Sequence, residues 1–160
     1  MELRILIGLQ AAGKTTYYRR SFATTHRLIS KDLLRNHRRP ARRQAELLAE
    51  ALAAGHSVVV DNTNPTLADR AELIALGRAY GAQIIGCWFP PDPRGSLARN
   101  AQREGRARVP PVALYATAAR LVPPTYAEGY DALYAVRIAE EGGFAVTAMP
   151  RPPAEEPPTT

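Results

Sequence analysis

Gly8-Leu9-Gln10-Ala11-Ala12-Gly13-Lys14-Thr15 decides how the rest of the chain is read. The stretch satisfies G-x-x-x-x-G-K-[ST], a turn whose backbone N–H groups wrap phosphate oxygens. Glycine at both ends opens backbone conformations closed to other residues. The apolar run Leu3 to Leu9 enters the turn and a helical pattern from Gly13 to about Thr24 leaves it, the strand-then-helix setting that the motif requires. The positive end of that helix faces the same anion. Gly8, Gln10, Ala11, Ala12, Gly13 and Thr16 are expected to hold the phosphates. Lys14 is expected to reach the β- and γ-phosphates, and Thr15 to ligate magnesium through its hydroxyl. The ligands implied are ATP, or another nucleoside triphosphate, and Mg2+.

Outward from this turn, short apolar segments alternate with helical patterns. Arg27 to Ser30 reads as a second strand, Arg42 to Ala54 as a helix ended by Gly55, and Ser57 to Asp61 as a buried strand built on Val58-Val59-Val60. Leu67 to Tyr80 reads as a helix and Ala82 to Phe89 as a strand stopped by Pro90-Pro91. A helix over about Gly95 to Gln102 and another from Val112 to Leu121 follow, and Leu133 to Ile138 reads as the last strand. The alternation predicts an α/β domain with a parallel sheet and right-handed crossovers. Residues 1–147 form one domain in this reading, and the proline-rich stretch 148–160 is expected to be a disordered tail.

At 160 residues the chain has the size of one domain. It has no apolar run long enough to span a bilayer, no basic-then-apolar leader pattern, and one cysteine, Cys87, which excludes an internal disulfide. A cytoplasmic protein without membrane association is expected. The net charge of +6 is unevenly placed: Arg27, Lys31, Arg35, Arg38, Arg39, Arg42 and Arg43 face a single acid, Asp32, in that stretch. A basic stripe beside a nucleotide site is the electrostatic footprint of a nucleic-acid substrate, although solvated arginines on helix faces would give the same run.

Three further groups carry candidate chemistry. Asp61 ends a buried strand beside the phosphate turn, where a carboxylate organises the magnesium shell; starting the turn Asp61-Asn62-Thr63-Asn64-Pro65 is its alternative role. Asp32 follows the second strand, at the carboxyl edge of the sheet where ligands bind, and can take the proton of an attacking hydroxyl. Arg35, three residues on, suits a phosphate oxygen pair, and a capping Asp32 with a solvated Arg35 is the alternative. Arg99 and Arg103 lie four apart in an arginine-rich segment bounded by Gly105 and Pro110-Pro111, which reads as a lid closing on the donor phosphates or as a basic surface helix.

Together these pieces resemble the kinase domain of polynucleotide kinases over about Leu3 to Ile138. The specific matches are Val60-Asp61-Asn62-Thr63-Asn64-Pro65, the segment Arg99-Asn100-x-x-Arg103 followed by Val109-Pro110, and Pro124-Thr125-Tyr126-Ala127-Glu128-Gly129-Tyr130. The resemblance implies a P-loop kinase fold, with five parallel strands ordered 2-3-1-4-5 and a helical arginine lid. It implies Asp32 as general base, Arg35 on a phosphate of the acceptor strand, and Arg99 and Arg103 on the donor. Arg38, Asn62 and Asn64 are expected on the acceptor side. The acceptor implied is the 5′-hydroxyl end of DNA or RNA. A kinase of a small molecule, or a nucleic-acid-binding ATPase without transfer, stays open at this point.

Overall fold

The computed structural model describes residues 1–155. Its central strand, β1 (Glu2–Ile7), pairs in parallel with β3 (Val58–Asp61) on one side and β4 (Gln83–Trp88) on the other. β2 (Arg27–Ile29) extends the sheet beyond β3, and β5 (Ala132–Ile138) extends it beyond β4, both in parallel. The parallel strands therefore run 2-3-1-4-5, as expected.

A sixth strand was not expected. β6 (Phe144–Ala148) returns antiparallel along β5 after a turn in which the Ala139 and Gly143 backbones are hydrogen-bonded. Ile138 therefore does not end the sheet. Four of the five β6 residues are exposed at the sheet edge, although Phe144 and Val146 alternate after the Gly142-Gly143 turn and Phe144 packs against the core. The expected domain end at 147 also falls short. Met149 donates its N–H to the Leu133 carbonyl (2.8 Å) and accepts from the Tyr126 hydroxyl (3.1 Å), and the Arg151 guanidinium lies 4.5 Å over the Tyr126 ring. The last residues of the expected tail, 156–160, lie outside the described residues.

Helices cover both faces because side chains along each strand alternate between them. Leu3, Ile5, Ile7, Val58, Val60 and Ile84 pack under α2 (Pro40–Ala53) and α3 (Leu67–Ala79). Leu6, Val59, Ile85 and Cys87 pack under α1 (Lys14–Ser21). On that second face Tyr17 meets Phe89 and Phe144 edge-on, with ring centroids 5.6 and 5.2 Å apart, so the unexpected strand roofs the first helix. α4 (Pro93–Ala101) and α5 (Pro111–Arg120) follow β4 and form an arm above the carboxyl edge of the sheet. No helix among the described residues is long and apolar enough to cross a membrane.

Candidate active site

The phosphate turn is fixed from three directions. A Cβ on Gly8 would lie 2.8 Å from Phe89 Cβ, so only glycine lets the chain leave β1 this close to β4. The Gly8 N–H donates to the Thr63 carbonyl (3.0 Å), which ties the turn to the segment after β3. Gly8 is thus a structural member of the loop, and its N–H is not presented to a phosphate. Gly13, at φ 94°, turns the chain into α1. Ala11 also adopts a left-handed conformation, φ 56°, which costs a non-glycine residue about 1 kcal/mol. Its carbonyl accepts from Arg99 Nε at 2.6 Å.

Lys14 is 7% exposed, and its ammonium donates to the carbonyls of Gly8 (3.0 Å) and Leu9. Burial pushes its pKa down to about 8. Asp61 opposes that shift, Arg103 adds to it, and Asp32 opposes it more weakly. Lys14 thus feels all three groups across one cleft. A phosphate in the turn would supply the counter-charge that this ammonium otherwise draws from carbonyl dipoles. Beside it, Thr15 Oγ1 donates to Asp61 Oδ2 at 2.6 Å, and Asp61 is 8% exposed. These two hard oxygens fit a Mg2+ ion that takes its other ligands from phosphate and water. Among the described residues there is no group of three or more His, Cys, Asp or Glu side chains able to hold a metal without such help.

Below pH 8 the buried ammonium is charged at a cost that is relieved as the pH rises toward its ordinary 10.5. An anion that binds the charged form raises this pKa again. Affinity for metal-free ADP is therefore expected to fall about tenfold between pH 7 and pH 9, with proton uptake on binding. Titration calorimetry in EDTA, in buffers of different ionisation enthalpy, checks this; an affinity unchanged at pH 9 would refute it.

The cleft has a volume of about 700 Å3 and is shared by the phosphate turn, the segment after β2 and the segment after β3. After β2, Ser30 accepts the Asp32 N–H (3.2 Å) and starts a 3-10 turn, Lys31–Leu34. In such a turn residues three apart eclipse. Arg35 Nη2 accordingly meets Asp32 Oδ1 at 3.3 Å, while its Nη1 donates to the Arg106 carbonyl in the arm at 3.2 Å. Asp32 is 79% exposed and opens onto the cleft that holds Lys14 and Asp61.

Several expected site residues take other places. Arg99 braces the Ala11 carbonyl and does not line the cleft. Arg103 does line it, and donates to the Ala107 carbonyl (3.3 Å). The two do not share a helix face because α4 ends at Ala101, before Arg103. Asn62 accepts the Lys31 N–H (2.9 Å) and donates to Gln44 Oε1 (2.7 Å), so its amide is spent holding the Asp32 turn against α2. Asn64, 5% exposed at φ 46°, donates to the Leu6 carbonyl (2.8 Å). Both asparagines line the cleft but with amides committed to backbone or core. Arg38 lies outside it, in a second depression. Gln10, Ala11, Ala12, Thr15 and Thr16 line the cleft, and Gln10 Nε2 also reaches Thr117 Oγ1 of α5 (2.9 Å).

Lys31 of the basic stripe lines the cleft, and so do Arg19, Asp69 and Arg120, which were not among the expected site residues. Arg19 was legible, one helical turn after Thr15 on the same face. Arg120 was not, because only the folding back of α5 brings it there. The cleft thus has six cationic side chains (Lys14, Arg19, Lys31, Arg35, Arg103, Arg120) against the carboxylates of Asp32, Asp61 and Asp69.

Known structures share this architecture. A gluconokinase from Sinorhizobium meliloti 1021 superposes with a TM-score of 0.61 at 19% identity, over 87% of this chain and 83% of its own. Kti12 of Chaetomium thermophilum, solved in complex with ADP-AlF3, gives 0.66 at 17% identity, over 88% and 93%. A chain of the Pnkp1/Rnl/Hen1 RNA repair complex gives 0.63 at 20% identity, over 75% of this chain and 43% of its own. At these identities the likeness establishes the P-loop kinase fold. Residues 3–124 match the family model described as the AAA domain, and with its glycine-rich phosphate turn intact the chain belongs to that family.

Proposed function

We propose that this chain is an ATP- and Mg2+-dependent kinase that phosphorylates the 5′-hydroxyl end of a polynucleotide. The observation that carries the reading is the opening of Asp32, with Arg35 beside it, onto the cleft that contains Lys14, Thr15 and Asp61. A nucleotide switch has no need of a carboxylate at that place.

In this reaction the Asp32 carboxylate takes the proton of the acceptor hydroxyl as its oxygen bonds to the γ-phosphorus. The bond from the γ-phosphorus to the bridging oxygen breaks, and its electron pair leaves with ADP. Lys14 and Arg103 neutralise charge gathering on the transferring group and the leaving oxygen. Thr15 and Asp61 hold Mg2+, which screens the phosphate charge when bound. Arg35 grips a phosphate of the acceptor, and Asn62 acts through the turn it holds, as a positioning residue for Asp32.

The charge of the cleft supports an anionic acceptor. ATP with its metal does not balance six cations facing three carboxylates, so a further anion is favoured over a neutral hydroxyl compound. The resemblance to polynucleotide kinases adds the polymer end. A gluconokinase shares the fold, so gluconate is the competing acceptor to test. With labelled γ-phosphate and magnesium, label is expected in 5′-hydroxyl oligonucleotides and not in nucleosides or gluconate. Label in gluconate alone would reassign the acceptor, and label released only as free phosphate would make the protein an ATPase.

A further inference from the structure

Beyond the cleft, His37, Arg38, Arg39, Arg42, Arg43 and Glu46 line a depression of about 270 Å3 that the proposed reaction does not use. It follows directly on the turn that carries Asp32 and Arg35, and the His37 N–H is bonded to the Leu34 carbonyl of that turn (2.9 Å). Arg42 and Arg43 pair with Glu46, each at 3.2 Å, and Arg43 approaches Glu50 at 3.6 Å. Arg38 and Arg39 are exposed and make no side-chain hydrogen bond or ion pair among the described residues. Two arginines held free beside two that are partly neutralised leave a concave surface with a positive surplus.

We propose that this depression is a second phosphate-binding site, which takes the backbone of a single-stranded nucleic acid as it leaves the cleft. The inference rests on the kinase reading for the direction of the strand and deepens it: the substrate is a strand several nucleotides long rather than a phosphorylated nucleoside. Guanidinium groups offer paired donors that match phosphate oxygens. Continuity with the Asp32 turn makes the surface an extension of the acceptor side. A membrane is the weaker occupant, because the segment from Asn36 to Glu46 contains no large apolar side chain to enter lipid.

The test uses the full chain and the double variant Arg38→Ala/Arg39→Ala, whose exposed side chains are not part of the core. Binding of a 3′-labelled, 5′-hydroxyl 20-mer is followed by fluorescence anisotropy across a salt series, in DNA and RNA versions. Each lost single-strand phosphate contact lowers the slope of log K against log salt by about 0.7, so a loss of about 1.4 is expected. Affinity for the 20-mer should fall about tenfold at low salt. In the transfer assay the rise in KM should be confined to the 20-mer and spare a dinucleotide acceptor. An unchanged salt slope, or an equal rise in KM for the dinucleotide, overturns the site. Arginine-dependent binding to phosphatidylserine vesicles without strand binding reassigns it to a membrane and overturns it equally. If no acceptor is phosphorylated but the slope falls as expected, the site stands and the kinase reading fails; if the wild-type chain binds no strand at low salt, the site fails by itself.

Discussion

Asp32→Asn should lower phosphoryl transfer to a 5′-hydroxyl oligonucleotide by about 10²- to 10⁴-fold, the range of general-base catalysis, and leave nucleotide affinity within about threefold. The asymmetry follows from where the side chain sits. Asp32 is 79% exposed, and its carboxylate touches Arg35 at 3.3 Å and no core group. The turn beneath it is held by backbone and by neighbours: Ser30 caps it, and Asn62 bonds the Lys31 N–H. Asparagine keeps the shape and can keep the contact to Arg35, but it cannot accept a proton at neutral pH. Its only reach toward the donor is through charge, as the last of the influences on Lys14. Single-turnover transfer with separately measured ADP affinity checks the result. Transfer retained within tenfold would remove Asp32 from the chemistry. Nucleotide affinity lost together with transfer would move it to the donor side.

The second large effect is on stability. Arg70→Met should destabilise the fold by about 3–5 kcal/mol, the usual cost of leaving one member of a buried ion pair unpartnered. Arg70 is fully buried. Its Nε and Nη2 bond both oxygens of Glu128 at 2.8 and 3.2 Å, and its Nη1 donates to the carbonyls of Asn64 (3.2 Å), Pro65 (3.3 Å) and Val122 (2.9 Å). Glu128 in turn accepts the Thr125 N–H at 2.9 Å. One guanidinium therefore joins α3, the Asn64-Pro65 turn, the chain after α5 and the cap before β5. Methionine fills much of the volume but strands a carboxylate and the carbonyl oxygens of Asn64 and Val122, while Pro65 keeps the Val122 N–H (2.8 Å). Chemical denaturation measures the loss. The double variant Arg70→Met/Glu128→Leu should recover part of it, because the orphaned charge is then gone. Arg78→Ala, at a pair with Asp131 that is 47% and 35% exposed, should cost less than about 1 kcal/mol. Equal losses at Arg70 and Arg78 would mean that burial does not set the worth of these pairs.

Arg70 also shows why the segment after β3 matters to the site. The Asn64-Pro65 turn that it anchors carries Thr63, whose carbonyl holds Gly8, and Asn64, whose amide holds Leu6. A buried arginine in α3 thus anchors the chain that braces the phosphate turn. The segment Thr125 to Gly129 is explained in the same way, since Glu128 completes the arginine and the cap together.

What the sequence determined by itself was whatever depends on neighbours in the chain. The phosphate turn is legible because its spacing fixes both the loop and the helix that follows. The buried valines before Asp61 are legible because parallel strands covered on both faces are apolar throughout. Tertiary structure alone decided the rest. β6 lies mostly exposed at a sheet edge, and its antiparallel return along β5 is a choice of tertiary pairing. Arg70 finds its carboxylate 58 residues away. Asn62, Asn64, Arg99 and Arg103 are all polar residues beside a cleft, and only packing settles which of them face it and which hold the backbone beneath it. Hydrogen-bond partners across the sheet are set by which strands lie side by side, and residue type carries no record of that choice.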